Sequence, residues 1–230
     1  MNYFQTDEKN LETLNPSEVS ALYNEGYVLT RKEKGNLIQT RSLRIRLSDF
    51  EISSENRRIL NKNSDLDFKL ESLPLPTYDW QIHNLGKTFY TAKFGDKIMS
   101  ASKIKEMFTD LDKSNMNAAF VYKYLNPTEE SLSIGYTLCY QNEEIMHYAY
   151  PFYNLDVPKE KNLGMAMMIK AINYAKELGK SYIYLGSVVE RKSLYKLQFS
   201  GLEWFNTDTK QWETDLVSLK TLVESSDTNS

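Results

Sequence analysis

Apolar positions along the chain change period several times, and the changes mark out its elements. AAFVYKYL (118–125), LSIGYTLCYQ (132–141) and EIMHYAYPFYN (144–154) are rich in β-branched and aromatic residues and predict three strands. The last two close as a hairpin around Gln141-Asn142-Glu143. KNLGMAMMIKAINYAKELG (161–179) then switches to the helical period. Asn162 can cap its start, Gly179 can end it, and Met165, Met168, Ile169, Ile172 and Ala175 form a buried stripe. Methionines so spaced read as core filling. YIYLG (182–186) returns to the strand period and runs directly into a basic segment holding Arg191, Lys192, Tyr195 and Lys196.

The N-terminal part is patterned more weakly. NPSEVSALYNEG (15–26) predicts a short helix with an N-cap at Ser17 and a stop at Gly26. SLRIRLSDF puts Leu43, Ile45 and Leu47 on one face of a strand and Arg44 with Arg46 on the other. SSENRRILNKN follows as a basic helix, and the prolines of ESLPLPTYDW mark a boundary near 73–77. SASKIKEMFTDLD is helical, with Ile104, Met107, Phe108 and Leu111 on one face. The expected organisation is a loosely held 1–15, an N-terminal α/β module over 16–72, a second domain over 78–223, and a frayed tail at 224–230.

Composition narrows the class. The 230 residues are 41% hydrophobic and 26% charged, as in globular proteins. No run reaches the ~20 apolar residues of a membrane span. The polar, acidic start is unlike a secretory signal, so a cytoplasmic location is the default. With Cys139 as the single cysteine there is no internal disulfide and no cysteine metal cluster. His83 and His147 have no partners at ligand spacing, so neither metal nor cofactor is expected. The net charge of −3 argues against a wholly basic nucleic-acid binder. Residues 31–62, however, carry nine basic against four acidic side chains. Phosphate contact and a plain solvated face both fit that excess.

The order of strands, hairpin, helix and strand resembles an acyltransferase of the GNAT type, which implies an α+β fold with a GNAT-like domain after the small α/β module. Pro151 inside a strand pattern fits an edge or a bulge. Lys161-Asn162-Leu163-Gly164-Met165-Ala166 is similar to a loop that holds a pyrophosphate at a helix N-terminus.

Two longer stretches carry a more specific resemblance. The first holds Gly26-Tyr27, Leu43-Arg44-Ile45, Phe50, Ser53 and Arg57-Arg58. The second holds Leu163-Gly164, Tyr184-Leu185-Gly186 and Leu194-Tyr195-Lys196. Together they resemble the arginyl/leucyl-tRNA–protein transferases of the N-degron pathway. The family's cysteine cluster has no counterpart between Lys34 and Ser42. Its Tyr-Leu-Gly-Tyr ends here in Ser187, and its Met before Tyr-Lys is Leu194.

This resemblance implies transfer of arginine or leucine from aminoacyl-tRNA to the N-terminal amine of acceptor proteins, marking them for degradation. The implied partners are the aminoacyl-tRNA and the acceptor N-terminus, with no membrane. It implies Tyr184, Tyr195 and Lys196 as catalytic residues. Arg44, Arg57, Arg58, Tyr153, Lys161, Gly164 and Gly186 would bind substrate. An acyl-coenzyme A-dependent N-acyltransferase and a non-catalytic binder of acidic N-termini are the alternatives. Beside these stands a structural reading: Tyr184 as a core tyrosine with a bonded hydroxyl, Lys196 as a surface lysine, His147 as a satisfied core histidine and Cys139 as a buried thiol.

Overall fold

A computed structural model describes residues 4–125 and 133–227, so Leu132, expected to open a strand, lies outside the described residues. In chain order the elements are β1 (Asp7–Asn10), α1 (Pro16–Asn24), β2 (Tyr27–Leu29), β3 (Asn36–Gln39), β4 (Ser42–Arg46), α2 (Ser54–Lys62) and β5 (Leu66–Ser72). They continue as α3 (Trp80–Phe94), α4 (Ala101–Thr109), β6 (Ala118–Tyr124), β7 (Ser133–Gln141), β8 (Ile145–Tyr153) and α5 (Leu163–Glu177). β9 (Tyr182–Ser187), β10 (Leu202–Asn206), β11 (Gln211–Glu213) and α6 (Leu216–Asp227) complete the described chain. No described helix is long and apolar enough to cross a membrane. The fold is α+β, as expected.

Two compact units form from interleaved segments. The first comprises the described parts of Ser54–Gln141 and Tyr148–Tyr174; the second comprises those of Asn2–Ser53, Asn142–His147 and Ala175–Ser230.

In the first unit β5, β6, β7 and the end of β8 lie side by side in that order. β5 and β6 are antiparallel from Leu66↔Tyr124 to Ser72↔Ala118. Helix α5 lies on this sheet, because Tyr174 meets Phe68 and Phe120 edge-on at 5.4 and 5.8 Å between centroids. The Tyr122 hydroxyl donates to the Met167 carbonyl at 3.1 Å. Met165, Met168, Ile169, Ile172 and Ala175 are all buried, as the helical period predicts. Tyr150, just before Pro151, sits at φ 52°, so β8 carries the irregularity that the proline called for.

In the second unit the strand order is β11-β10-β4-β9 and then the start of β8. β4 runs antiparallel to both β10 and β9. Ile145–His147 of β8 runs parallel to Tyr182–Tyr184 of β9. Between β8 and β9 the chain passes through α5, which is the strand–helix–parallel strand connection of a GNAT-like fold. A three-stranded sheet, β1-β3-β2, also belongs to this unit.

Two local expectations change. The N-cap of α1 is Asn15 rather than Ser17: its Oδ1 accepts the Ser17 N–H at 3.0 Å, with Pro16 in the first turn. The N-terminal residues are not loose from Asp7 onward, because β1 pairs with β3 from Asp7↔Gln39 to Asn10↔Asn36. Side chains lock that pairing, with Asn36 Nδ2 donating to Glu8 Oε1 at 2.5 Å and to Asn10 Oδ1 at 2.9 Å.

The hydrogen bond from Asn36, followed by those from Gln5 and Lys32, holds the Glu8 carboxyl down at about 2. The Tyr27 hydroxyl likewise lowers Asp7. A carboxylate whose folded pKa is depressed contributes stability above its unfolded value, and that stability is lost as pH falls through the folded one. The protection factors of the β1 and β3 amides, observed exchange corrected for the intrinsic rate at each pH, are therefore expected to fall between about pH 4.5 and 2, and Glu8→Gln is expected to flatten that dependence. Unchanged protection factors across this window in the parent would refute the role given to Glu8.

Candidate functional site

The end of β9 carries the feature that the motifs single out. Tyr184 faces Arg44 and Ser187 faces Ser42, so three steps on β9 oppose two on β4. That is a bulge, and Gly186 occupies it at φ +76°. A side chain is strained in that conformation, which accounts for the glycine.

Lys196 braces this bulge. It comes from a 3-10 segment over Arg191–Gln198. Its ammonium donates to the carbonyls of Leu185 at 2.9 Å and Ser187 at 3.2 Å, on either side of Gly186. The aliphatic stem is half-buried, and burial pulls the ammonium down to about 8. Lys196 is therefore not the surface lysine of the structural reading.

Behind the bulge lies His147, buried and held at about 3, first by burial and then by the charge of Lys196. The Leu29 N–H donates to the Tyr23 hydroxyl oxygen at 3.1 Å, and that hydroxyl lies 2.8 Å from His147 Nδ1. The hydroxyl and Nδ1 share one hydrogen bond whose direction follows the tautomer of the neutral ring. His147 is a satisfied core histidine, as expected.

Arg44 departs from its expected role. It is only 6% exposed, and its Nε donates to Glu203 Oε2 at 2.6 Å. Nη1 donates to Asn24 Oδ1 at 2.9 Å and to the Tyr184 hydroxyl at 3.4 Å. The guanidinium is stacked between the Tyr182 and Trp212 rings, 4.0 and 3.9 Å from their centroids. The other Glu203 oxygen accepts from Arg46 Nη2 at 2.5 Å. One carboxylate thus serves two arginines, and Arg44 is committed inside the protein.

Tyr184 is fully buried beside it, and burial raises its phenol to about 12 against the pull of Arg44. It has the surroundings of a core tyrosine with a bonded hydroxyl. Tyr195 is 48% exposed on the same 3-10 segment as Lys196.

The remaining candidates lie in the first unit. Arg57 and Arg58 are exposed on α2, and Arg58 makes a two-pronged ion pair with Glu55 at 2.6 and 2.7 Å. Tyr153, Lys161 and Gly164 come together at the start of α5. There a Cβ on Gly164 would stand 2.8 Å from Tyr153 Cε1, so the tyrosine ring covers the glycine. Lys161 is paired with Asp65 at 3.3 Å. The pyrophosphate-like loop is a packed corner here. Cys139 is buried and its thiol raised by desolvation, which makes it inert as a nucleophile. Among the described residues no group of three His, Cys, Asp or Glu could hold a metal ion.

Glu203 is the participant that local pattern reading missed. Its signal was an acidic residue inside the apolar run Leu202–Phe205, where a buried charge demands a partner.

The α+β scaffold with its parallel β8–β9 crossover has the organisation expected of a GNAT-like fold. Residues 83–206 match the family described as arginine-tRNA-protein transferase, C terminus, and the chain belongs to this family. An aspartate/glutamate leucyltransferase of Ruegeria sp. (strain TM1040) is 29% identical over 178 residues, covering 76% of this chain and 63% of that protein. One from Leptospira interrogans serogroup Icterohaemorrhagiae serovar copenhageni (strain Fiocruz L1-130) is 31% identical over 150 residues, 63% of this chain and 54% of the relative. The chain thus spans a little under two thirds of the first relative's length. Similarity to solved structures is looser. L-PGS from Bacillus licheniformis gives a TM-score of 0.45 at 18% identity, over 74% of this chain and 49% of that one. FemX gives 0.47 at 11%, over 75% and 60%.

Proposed function

We propose that the chain transfers an amino acid from aminoacyl-tRNA to the N-terminal amine of an acceptor protein, with the Gly186 bulge as the place where the reacting groups meet. One observation carries this reading. The two fragments that resemble the family's motifs, Tyr184–Gly186 and Leu194–Lys196, are joined by Lys196, whose ammonium bonds the Leu185 and Ser187 carbonyls on either side of Gly186.

The chemistry asks for little beyond alignment and charge stabilisation. An aminoacyl ester is already activated, and a free α-amine titrates near ~8. The amine attacks the ester carbonyl, a C–N bond forms, and the tetrahedral oxyanion collapses by expelling the ribose oxygen. The amine's proton leaves with that oxygen or passes to water. A bulge frees backbone N–H groups from the ladder, and N–H donors fixed in space can serve an oxyanion. Lys196 is then a positioning residue that holds the bulge in one shape. Arg44, Glu203 and Tyr184 form the rigid floor beneath it.

The relatives' name, aspartate/glutamate leucyltransferase, supports acidic acceptor N-termini and leucine as the group carried. The test is transfer from bulk charged tRNA to peptides differing only in their first residue. Peptides beginning with Asp or Glu are expected to gain one residue, and a matched Ala peptide far less. Equal labelling of all three would remove acidic selectivity.

A further inference from the structure

A second feature of the second unit lies away from the bulge's lysine brace and is not used by the reaction above. A depression of about 520 Å³ is lined by Arg46, Ser48, Lys176, Lys180, Ser181 and Tyr182, with no carboxylate in its wall. Three of those side chains are cationic. Lys176 donates to the Phe50 carbonyl at 2.6 Å and Lys180 to the Asn142 carbonyl. A carbonyl satisfies a donor but does not neutralise a charge. Arg46 shares Glu203 with Arg44 and has Asp49 at 3.7 Å, so two arginines divide one buried carboxylate.

The C-terminus of α5 accounts for one cation here, since Lys176 sits in its last turn and complements the helix dipole. It does not account for three. Lys180 is partly desolvated, which lowers its ammonium against the opposing charge of Glu143. A desolvated cation gains most from an anion brought to it. Tyr182 adds a half-buried aromatic ring at the edge, backed by the Arg44 guanidinium at 4.0 Å.

We infer that this depression is a docking site for single-stranded RNA, taking phosphates on Arg46, Lys176 and Lys180 and a base against Tyr182. Cations interleaved with an aromatic ring fit a nucleotide better than a bare anion or an acidic peptide. The inference rests on the aminoacyl-tRNA reading and places RNA contact away from the buried Arg44 and from the Arg57-Arg58 pair on α2.

The test uses the full chain and a synthetic RNA hairpin ending in single-stranded CCA, with binding followed by fluorescence anisotropy across a salt series. Lys176→Gln/Lys180→Gln keeps a donor for each carbonyl while removing both charges. It is expected to weaken binding about tenfold or more at low salt. Its slope of log affinity against log salt should be shallower by roughly 1.4–1.8, since each phosphate contact contributes about 0.7–0.9. Ser181→Glu, at an exposed position, leaves the backbone hydrogen bonds of that residue in place and is expected to weaken binding similarly with an unchanged melting temperature. Parent-like affinity and slope in both variants, with the parent binding the hairpin, would overturn the site and leave the transfer reading standing. A parent that does not bind the hairpin at all would overturn both.

Discussion

Replacing Glu203 by alanine is expected to destabilise the protein by about 3–5 kcal/mol, the range for breaking a buried ion pair from one side. The reason is an imbalance. Arg44 is buried between Tyr182 and Trp212, with its Nε on Glu203. Without the carboxylate a guanidinium is left in a site that water does not reach. Arg46 loses its 2.5 Å partner too, but it is half-exposed and can turn to solvent, so it adds little. Arg44→Met/Glu203→Leu, which removes both buried charges and fills similar volume, is expected to be much closer to the parent. Urea unfolding of the three proteins measures this. A Glu203→Ala loss below about 1 kcal/mol would show that the pair does not hold β4 to β10.

The second large effect falls on rate. Lys196→Met keeps most of the side-chain stem and removes both hydrogen bonds to the bulge. Single-turnover transfer is expected to fall about a hundredfold, the scale of losing an oxyanion donor, because the bulge N–H donors that Lys196 holds in place lose their fixed position. Substrate affinity should change little. Stability moves less, because two terms oppose each other. Two carbonyls lose a donor, while a desolvated ammonium is removed; with its pKa depressed to about 8, that ammonium opposes folding below pH 8, and the cost relaxes as the pH rises toward the ordinary lysine value.

The pH profile separates positioning from mere structure. In the parent, transfer should rise as the acceptor amine deprotonates and decline as Lys196 does so above about pH 8. The neighbouring titratable groups stay out of this window, His147 at about 3 and Tyr184 at about 12. The variant should lack the declining limb, and Lys196→Arg should restore part of the rate. A variant that loses only melting temperature, with rate and profile intact, would make Lys196 purely structural.

Legibility in the sequence followed the range of each interaction. Met165, Met168, Ile169, Ile172 and Ala175 act through one helix face, so their period alone showed their burial. The strands flanking α5 were visible for the same reason. Arg44 and Arg46 were correctly read as sharing a face, but what that face meets was not. Their partner Glu203 comes from β10, more than 150 residues along the chain, and β4 reaches it by lying between β9 and β10. No local window contains that pairing. β1 reads Asp-Glu-Lys-Asn, with no apolar alternation, because its order comes from β3 and from polar side chains such as Asn36. At the candidate site, Gly186 was legible as a glycine that closes a strand. Lys196 was read as an outward charge, since nothing in Tyr-Lys-Leu shows that its stem turns back to two carbonyls.

The most direct test of the central claim is an assay with bulk tRNA charged with radiolabelled amino acids and a pair of peptides beginning with Asp, one with a free N-terminus and one acetylated. The account predicts label on the free peptide alone, gained as one added residue at its N-terminus and abolished by deacylating the tRNA beforehand. No label on either peptide, or label that arises only from an acyl-coenzyme A, would contradict it.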